Sequence, residues 1–218
     1  MVFATACFPC ALLFSLATHK MDPKTKESWE NYLNPEITRS ALLAASIYIA
    51  GFEALKESII ERIRYFFWTG FDETGDKFDP KYQTDVLALN KSPVHASLAW
   101  LKGMKAIDDA DIAAFDRVKA CRNKLAHDLL STLAASGLSE NYGECFNDMI
   151  ALLHKIELWW IVEVEIPTNP DLADKEIDYK GIIPGPIMNM RLLCDLALGA
   201  DEESKFYLKE FRKRAGGG

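Results

Sequence analysis

Excess positive charge is missing from this chain: 25 Lys and Arg stand against 32 Asp and Glu, a formal net charge of −7. That balance excludes a general nucleic-acid coat, because nonspecific phosphate binding needs a broadly basic surface. A disulfide framework is missing too. The five cysteines, Cys7, Cys10, Cys121, Cys145 and Cys194, are odd in number and irregularly spaced. This argues for a reducing compartment, the cytoplasm. Cys7-Phe8-Pro9-Cys10 has C-x-x-C spacing, but it lacks the βαβ context of a redox motif and the second ligand pair of a zinc site. His19, His95 and His154 have no paired ligands around them in sequence, so they read as structural and neither metal nor cofactor is expected. There is no glycine-rich phosphate loop, no internal repeat and no strand-rich region.

The uncharged, largely apolar stretch Val2 to Ala17 is short for a membrane span and lacks the basic flank and cleavage site of a signal peptide. Met21-Asp22-Pro23-Lys24 has the look of a natural start, so residues 1–21 are set apart as an N-terminal segment, the alternative being a helix that packs on the domain or a partner. The terminal Gly216-Gly217-Gly218 is set apart as well.

What is present reads as helix. With 49% hydrophobic and 26% charged residues, 218 residues suffice for a sizeable core. Ile47, Phe52, Leu55, Ile59, Ile63 and Phe66 recur at steps of three and four, predicting a long amphipathic helix opened by Asn34-Pro35 and closed by Gly70. Phe71 to Lys91 is expected as a loop with at most short helical turns. Ser92-Pro93 opens a short helix through Met104. Asp108 or Asp109 caps a helix to about Ala135, carrying Ile112, Phe115, Val118, Leu125, Leu129 and Leu133 and ended by Gly137. Ser139 caps another to about Val164, with Phe146, Ile150, Leu153, Leu158 and Ile161 inside. The pair Trp159-Trp160 reads as packing rather than a base-stacking platform. The expected fold is all-α, a bundle over residues 22–166 with two long core helices. A proline- and glycine-rich connection, 167–187, and a C-terminal helical extension, 188–215, broken near Gly199, follow.

One stretch combines chemistry with helical setting: Arg122-Asn123-Lys124-Leu125-Ala126-His127. A guanidinium grips phosphate with two parallel hydrogen bonds, and an imidazole moves protons near neutral pH. Those two tools suffice to cleave an RNA backbone without a metal. Arg117, Lys119, Arg122 and Lys124 also fall within eight residues that contain no acid, a local basic patch for RNA. The Arg-x4-His spacing, with Asn directly after the Arg, resembles the signature of the HEPN superfamily, and the resemblance covers roughly Ile37 to Val164.

That resemblance implies a HEPN-like helical bundle and a metal-independent endoribonuclease. Many bacterial HEPN proteins are toxins or antiviral abortive-infection effectors, so an antitoxin or another defence-system protein is an implied partner. In that scheme Arg122, Asn123 and His127 are catalytic, and Arg117, Lys119 and Lys124 bind RNA. A supporting acid is expected from an earlier helix, either Glu53 or Glu57. The tyrosine that some toxins of the family carry two residues after the His is Leu129 here, so regulation by its modification is not implied. Asn123 and His127 share one helix face, whereas Arg122 and His127 diverge by about 140° around the helix. A homodimer through the Arg122–His127 helix, as HEPN nucleases form, would bring both groups to one cleft. The alternative is a noncatalytic HEPN-like helical adaptor that binds a partner.

Overall fold

The computed structural model describes residues 22–134, 140–172 and 175–215. They form a mostly helical structure with one small hairpin, in the order α1 (Pro23–Leu33), α2 (Pro35–Phe66), β1 (Trp68–Asp72), β2 (Gly75–Phe78), α3 (Pro93–Gly103), α4 (Asp109–Ala134), α5 (Glu140–Trp160), α6 (Ile166–Thr168), α7 (Gly185–Leu198) and α8 (Asp201–Ala215). The segments containing Val2 to Ala17, His19, Gly137 and Ser139 lie outside the described residues.

Local chemistry explains where the helices start. Pro23, Pro35 and Pro93 each occupy a first helical position, where a missing N–H costs nothing. Asn34 accepts from the Glu36 amide at 3.0 Å, and Asp22 accepts from the Thr25 amide at 3.1 Å. Ser92 precedes α3 but makes no capping bond; its hydroxyl meets His95 Nδ1 at 3.2 Å instead.

Helix α2, 32 residues long, is the central element and packs against α1, α3, α4, α5 and α7. Leu55, Ile59 and Ile63 are fully enclosed along its inner stripe, each worth roughly 1.5–3 kcal/mol of burial. Phe66, expected inside, is half exposed because α2 ends there, four residues before Gly70. Helix α5 buries the expected Leu153 but centres its inner face elsewhere than expected. Its buried face runs Tyr142, Cys145, Met149, Leu152, Leu153, Ile156 and Trp160, while Phe146, Ile150 and Leu158 lie at its margin and Ile161, just past its end, is half-buried. Trp160 stacks on Trp100 with 19° between the ring planes and meets Trp159 edge-on, so the tryptophan pair does pack. A π-helical turn, Ile161–Glu165, carries α5 on into α6.

The expected loop after α2 contains an antiparallel ribbon. β1 and β2 pair Trp68 with Phe78 and Asp72 with Gly75, and a register irregularity falls between Trp68 and Gly70. Gly70 and Gly75 adopt φ of +141° and +110°, conformations that side-chain-bearing residues rarely reach. Beyond it, a π-helical turn buries Tyr82 and Val86 against the core.

Gly51 marks the closest approach of α2 to its neighbours. A Cβ there would come within 2.6 Å of Met149 Cε and 3.0 Å of Met190 Cε. Both atoms are ends of flexible side chains, so Gly51→Ala is expected to be nearly neutral: a helix-propensity gain of about 1 kcal/mol offsets the displaced methyls. Gly51→Leu has no such escape and is expected to cost about 1–3 kcal/mol by overpacking, read in a urea titration. Equal midpoints for the leucine variant and wild type would show that α2 is not closely held there.

The start of α4 is clasped to α5. Asp108 Oδ1 accepts from the amides of Ala110 at 2.8 Å and Asp111 at 3.1 Å, and Lys155 of α5 binds both Asp108 and Asp111. The Asp111 amide, and then Lys155, hold the Asp108 carboxyl below its ordinary value. Its contribution is therefore complete above the unfolded carboxyl pKa, about 4, and is lost as pH falls through the lower folded value. Lys155 is raised, chiefly by Asp111, so its contribution is complete below the ordinary ammonium pKa and is lost as pH rises through the folded value. The clasp thus stays closed through neutral pH. Between about pH 4 and 2, the melting temperature of wild type should fall more steeply than that of Asp108→Ala; parallel curves would remove Asp108 from the account.

Candidate functional site

Helix α4 carries the whole Arg122–His127 stretch, and the core fixes its rotation. Phe115, Val118 and Leu125 are enclosed, and Phe115 stacks on Phe52 of α2 with centroids 6.0 Å apart. Tyr48 of α2 donates its hydroxyl to the Val118 carbonyl at 3.1 Å. Burial pushes that phenol's pKa upward, so it remains a donor. With this face inward, Arg122 lies at the margin between α4 and α2, while Asn123, Lys124 and His127 are exposed.

The Arg122 guanidinium is held from α2 by two neighbouring residues. Its Nη2 donates to Glu53 Oε1 at 3.3 Å, and its Cζ lies 5.7 Å from the centroid of the Phe52 ring. Glu53 is steadied in turn by Lys56, at 3.1 Å from Oε2. Arg122 Nε is buried without an acceptor, so the pair leaves part of the donor fork unmet. Of the two acids considered, the structure brings Glu53 to the arginine. Glu57 instead borders a groove with Glu61, Arg62, Tyr65, Phe66 and Trp160, farther along α2.

The side chain of His127 makes no hydrogen bond or ion pair among the described residues, and neither do those of Asn123, Lys119 and Lys124. Arg117 is committed to Asp148 of α5 at 2.7 Å, so it ties two helices together rather than offering a free cation. Directly after His127 the helix breaks: Asp128 has φ −108° and ψ 19°, and its carbonyl accepts from the Ser131 hydroxyl at 2.8 Å. That bridge-region conformation kinks the helix one residue beyond the imidazole. No pattern in the sequence announced this kink. Phe52 joins the site through its ring, and nothing in the sequence beyond its place before Glu53 marks it.

Cys121, one residue before Arg122, forms a disulfide with Cys145 of α5 across a Cα separation of 6.8 Å. Among the described residues this is a single pair, with Cys194 left free, and not a framework of several bonds. The cysteines are 24 positions apart and irregularly spaced, and only the packing of α4 on α5 brings them together. Among the described residues, no helix is long and apolar enough to cross a membrane.

Other histidines and the remaining described thiol offer less chemistry. His95 bridges Ser92 and Asp116, with Nε2 at 3.0 Å from the carboxylate. His154 and Cys194 line a groove of about 560 Å³ between α5 and α7, floored by Phe146, Ile150 and Met190. Burial, and then Asp195, push the Cys194 thiol's pKa upward, the wrong direction for a nucleophilic thiolate. The arrangement around α4 therefore offers a braced guanidinium with spare donors and, on a diverging face, an unengaged imidazole. The chain matches no protein-family profile, no curated protein and no solved structure.

Proposed function

We propose that this protein is a metal-independent endoribonuclease of HEPN type, acting as a toxin or antiviral effector through a homodimer that joins two copies of α4. One observation carries the reading: Arg122, at the margin of α4, is braced by Glu53 through Nη2 alone, while the side chain of His127 on the same helix is exposed and unpartnered. Within one chain the two groups point apart. A two-fold axis along the exposed face would let the His127 of one copy and the Arg122 of the other address one phosphate.

In the proposed reaction His127 takes the proton of a ribose 2′-hydroxyl or gives one to the departing 5′-oxygen. The 2′-oxygen bonds to phosphorus as the P–O5′ bond breaks, leaving a 2′,3′-cyclic phosphate and a 5′-hydroxyl. Arg122 stabilises the charge gathering on the phosphoryl oxygens. Asn123 orients the imidazole or hydrogen-bonds the sugar-phosphate, and Glu53 is a positioning residue that holds the guanidinium. Lys119 and Lys124 supply local positive charge to an otherwise acidic protein.

Incubation of single-stranded RNA with the full chain in EDTA tests the proposal. Cleavage to cyclic-phosphate ends is expected, together with resistance when the 2′-hydroxyl at the scissile position is replaced by hydrogen. Mixing inactive Arg122→Ala and His127→Ala chains should restore part of the activity if the site is shared between copies. Loss of all cleavage in EDTA would overturn the mechanism. Absence of cleavage under every condition would leave the noncatalytic adaptor as the better reading.

A further inference from the structure

We propose that Cys121 and Cys145 form a reversible redox latch that sets the order of the Arg122–His127 segment. The inference rests on the reading of that segment as the functional site only for its consequence in activity; the latch itself is a property of α4 and α5.

The placement of the bond carries the argument. Cys121 is the residue before Arg122, and the disulfide joins α4 to α5, closing a loop with a sequence separation of 24. Arg122, Asn123, His127 and the kink at Asp128 all fall inside that loop. On the N-terminal side, α4 is pinned by the Asp108–Lys155 clasp, by Phe115 on Phe52 and by Tyr48 on the Val118 carbonyl. Past Cys121, Arg122 is held by Glu53 and the Phe52 ring and Leu125 is enclosed, after which Ala126, His127 and Asp128 are exposed and Leu129 is partly covered. An exposed stretch such as 126–128, with a kink inside it, opens locally at low cost. The disulfide removes open conformations by tying the segment's base to α5.

Cys121 and Cys145 are both nearly enclosed, so exchange at this pair follows such local opening. The redox step balances against a small-molecule disulfide. One protein thiolate attacks the external disulfide and releases one thiol. The second protein thiolate then attacks the mixed disulfide, forming the Cys121–Cys145 bond and releasing the other thiol. Two protein thiols are oxidised and one external disulfide is reduced to two thiols. A dithiol reductant reverses the sequence. Cys194 lies on α7, outside this loop, and is the internal control.

The test equilibrates the full chain in buffers of reduced and oxidised glutathione. It reads non-reduced peptide maps by mass spectrometry and amide hydrogen exchange over residues 122–134, with no RNA present. A Cys121–Cys145 cross-link is expected in the oxidised arm, with exchange over this segment slowed by about tenfold relative to the reduced arm. Cys194→Ser should behave as wild type, and Cys121→Ser/Cys145→Ser should show no dependence on glutathione. The comparison of redox states within the wild-type chain stands even if the double variant fails to fold. Cysteines that stay reduced in oxidised glutathione, or a cross-linked form that exchanges as fast as the reduced one, would overturn the latch. RNA cleavage measured in parallel should be greater in the oxidised arm. A redox-dependent exchange pattern in a protein that never cleaves RNA would sustain the latch while sinking the ribonuclease reading.

Discussion

Replacing His127 by alanine is expected to lower RNA cleavage by about 10²–10⁴-fold, the range set by loss of a positioned proton-transfer group. Arg122→Ala should cost about 10²–10³-fold, through loss of a charged donor at the developing phosphoryl charge. Neither change should unfold the chain. His127 is exposed and unpartnered, and Arg122 gives up only a half-exposed ion pair and a contact with the Phe52 ring. Such surface pairs contribute about 0–1 kcal/mol. Arg122→Lys separates geometry from charge. Lysine preserves the cation without the planar fork, so activity should remain near that of the alanine variant if bidentate phosphate contact is what matters. Undiminished cleavage by folded His127→Ala and Arg122→Ala proteins would sink the mechanism. Glu53→Gln gives a graded check: the amide keeps an acceptor for Arg122 but not the charge, so its effect should be smaller than that of Arg122→Ala.

The largest effect on stability among the polar residues is expected at Arg62. Glu157 of α5 is 2% exposed, accepts from the Ser58 hydroxyl at 2.6 Å and pairs with Arg62 Nη2 at 3.2 Å. Arg62 also spans to Glu165 at 2.8 Å and lies 5.9 Å from the centroid of the Trp160 ring. Arg62→Ala would leave a carboxylate buried with one hydroxyl for company. Breaking a fully buried pair costs about 3–5 kcal/mol, and the partial exposure of Arg62 reduces the expectation to about 2–3 kcal/mol. Removing both charges in Arg62→Met/Glu157→Leu should recover most of that loss, because apolar replacements carry no desolvation penalty. Urea titrations of the single and double variants read the difference directly. If the double variant were the less stable of the two, the pair would be a net source of stability rather than a burden relieved by its own geometry.

The helix starts were legible because they depend on neighbours in sequence. Asn34-Pro35, Ser92-Pro93 and Asp108 announce α2, α3 and α4 through capping groups or a fixed φ, and those contacts span at most three residues. The inner stripe of α2 was legible because Leu55, Ile59 and Ile63 repeat on one face. Helix α5 defeated the same reasoning. Apolar residues surround much of it, so periodicity alone did not distinguish the Cys145–Met149–Ile156 face from the marginal Phe146–Ile150 face. The hairpin was hidden for a different reason. Trp68 and Phe71 are exposed, and a two-stranded ribbon with no buried face need not alternate polar with apolar residues.

By itself the sequence determined that this chain forms helices, where most of them begin, and that a cation and an imidazole share α4. These follow from capping, propensity and spacing, which act over a few residues. Only the tertiary structure decided which acid meets Arg122, because Glu53 and Glu57 lie one turn apart and are equivalent until α2 and α4 pack. The stacking of Phe52 on Phe115 sets that packing and delivers Glu53. It likewise decided that Cys121 faces Cys145 and that the helix breaks after His127, since both depend on how α4 lies against the elements beside it. Rotation and register between helices are fixed by side chains far apart in the chain, and no local pattern encodes them.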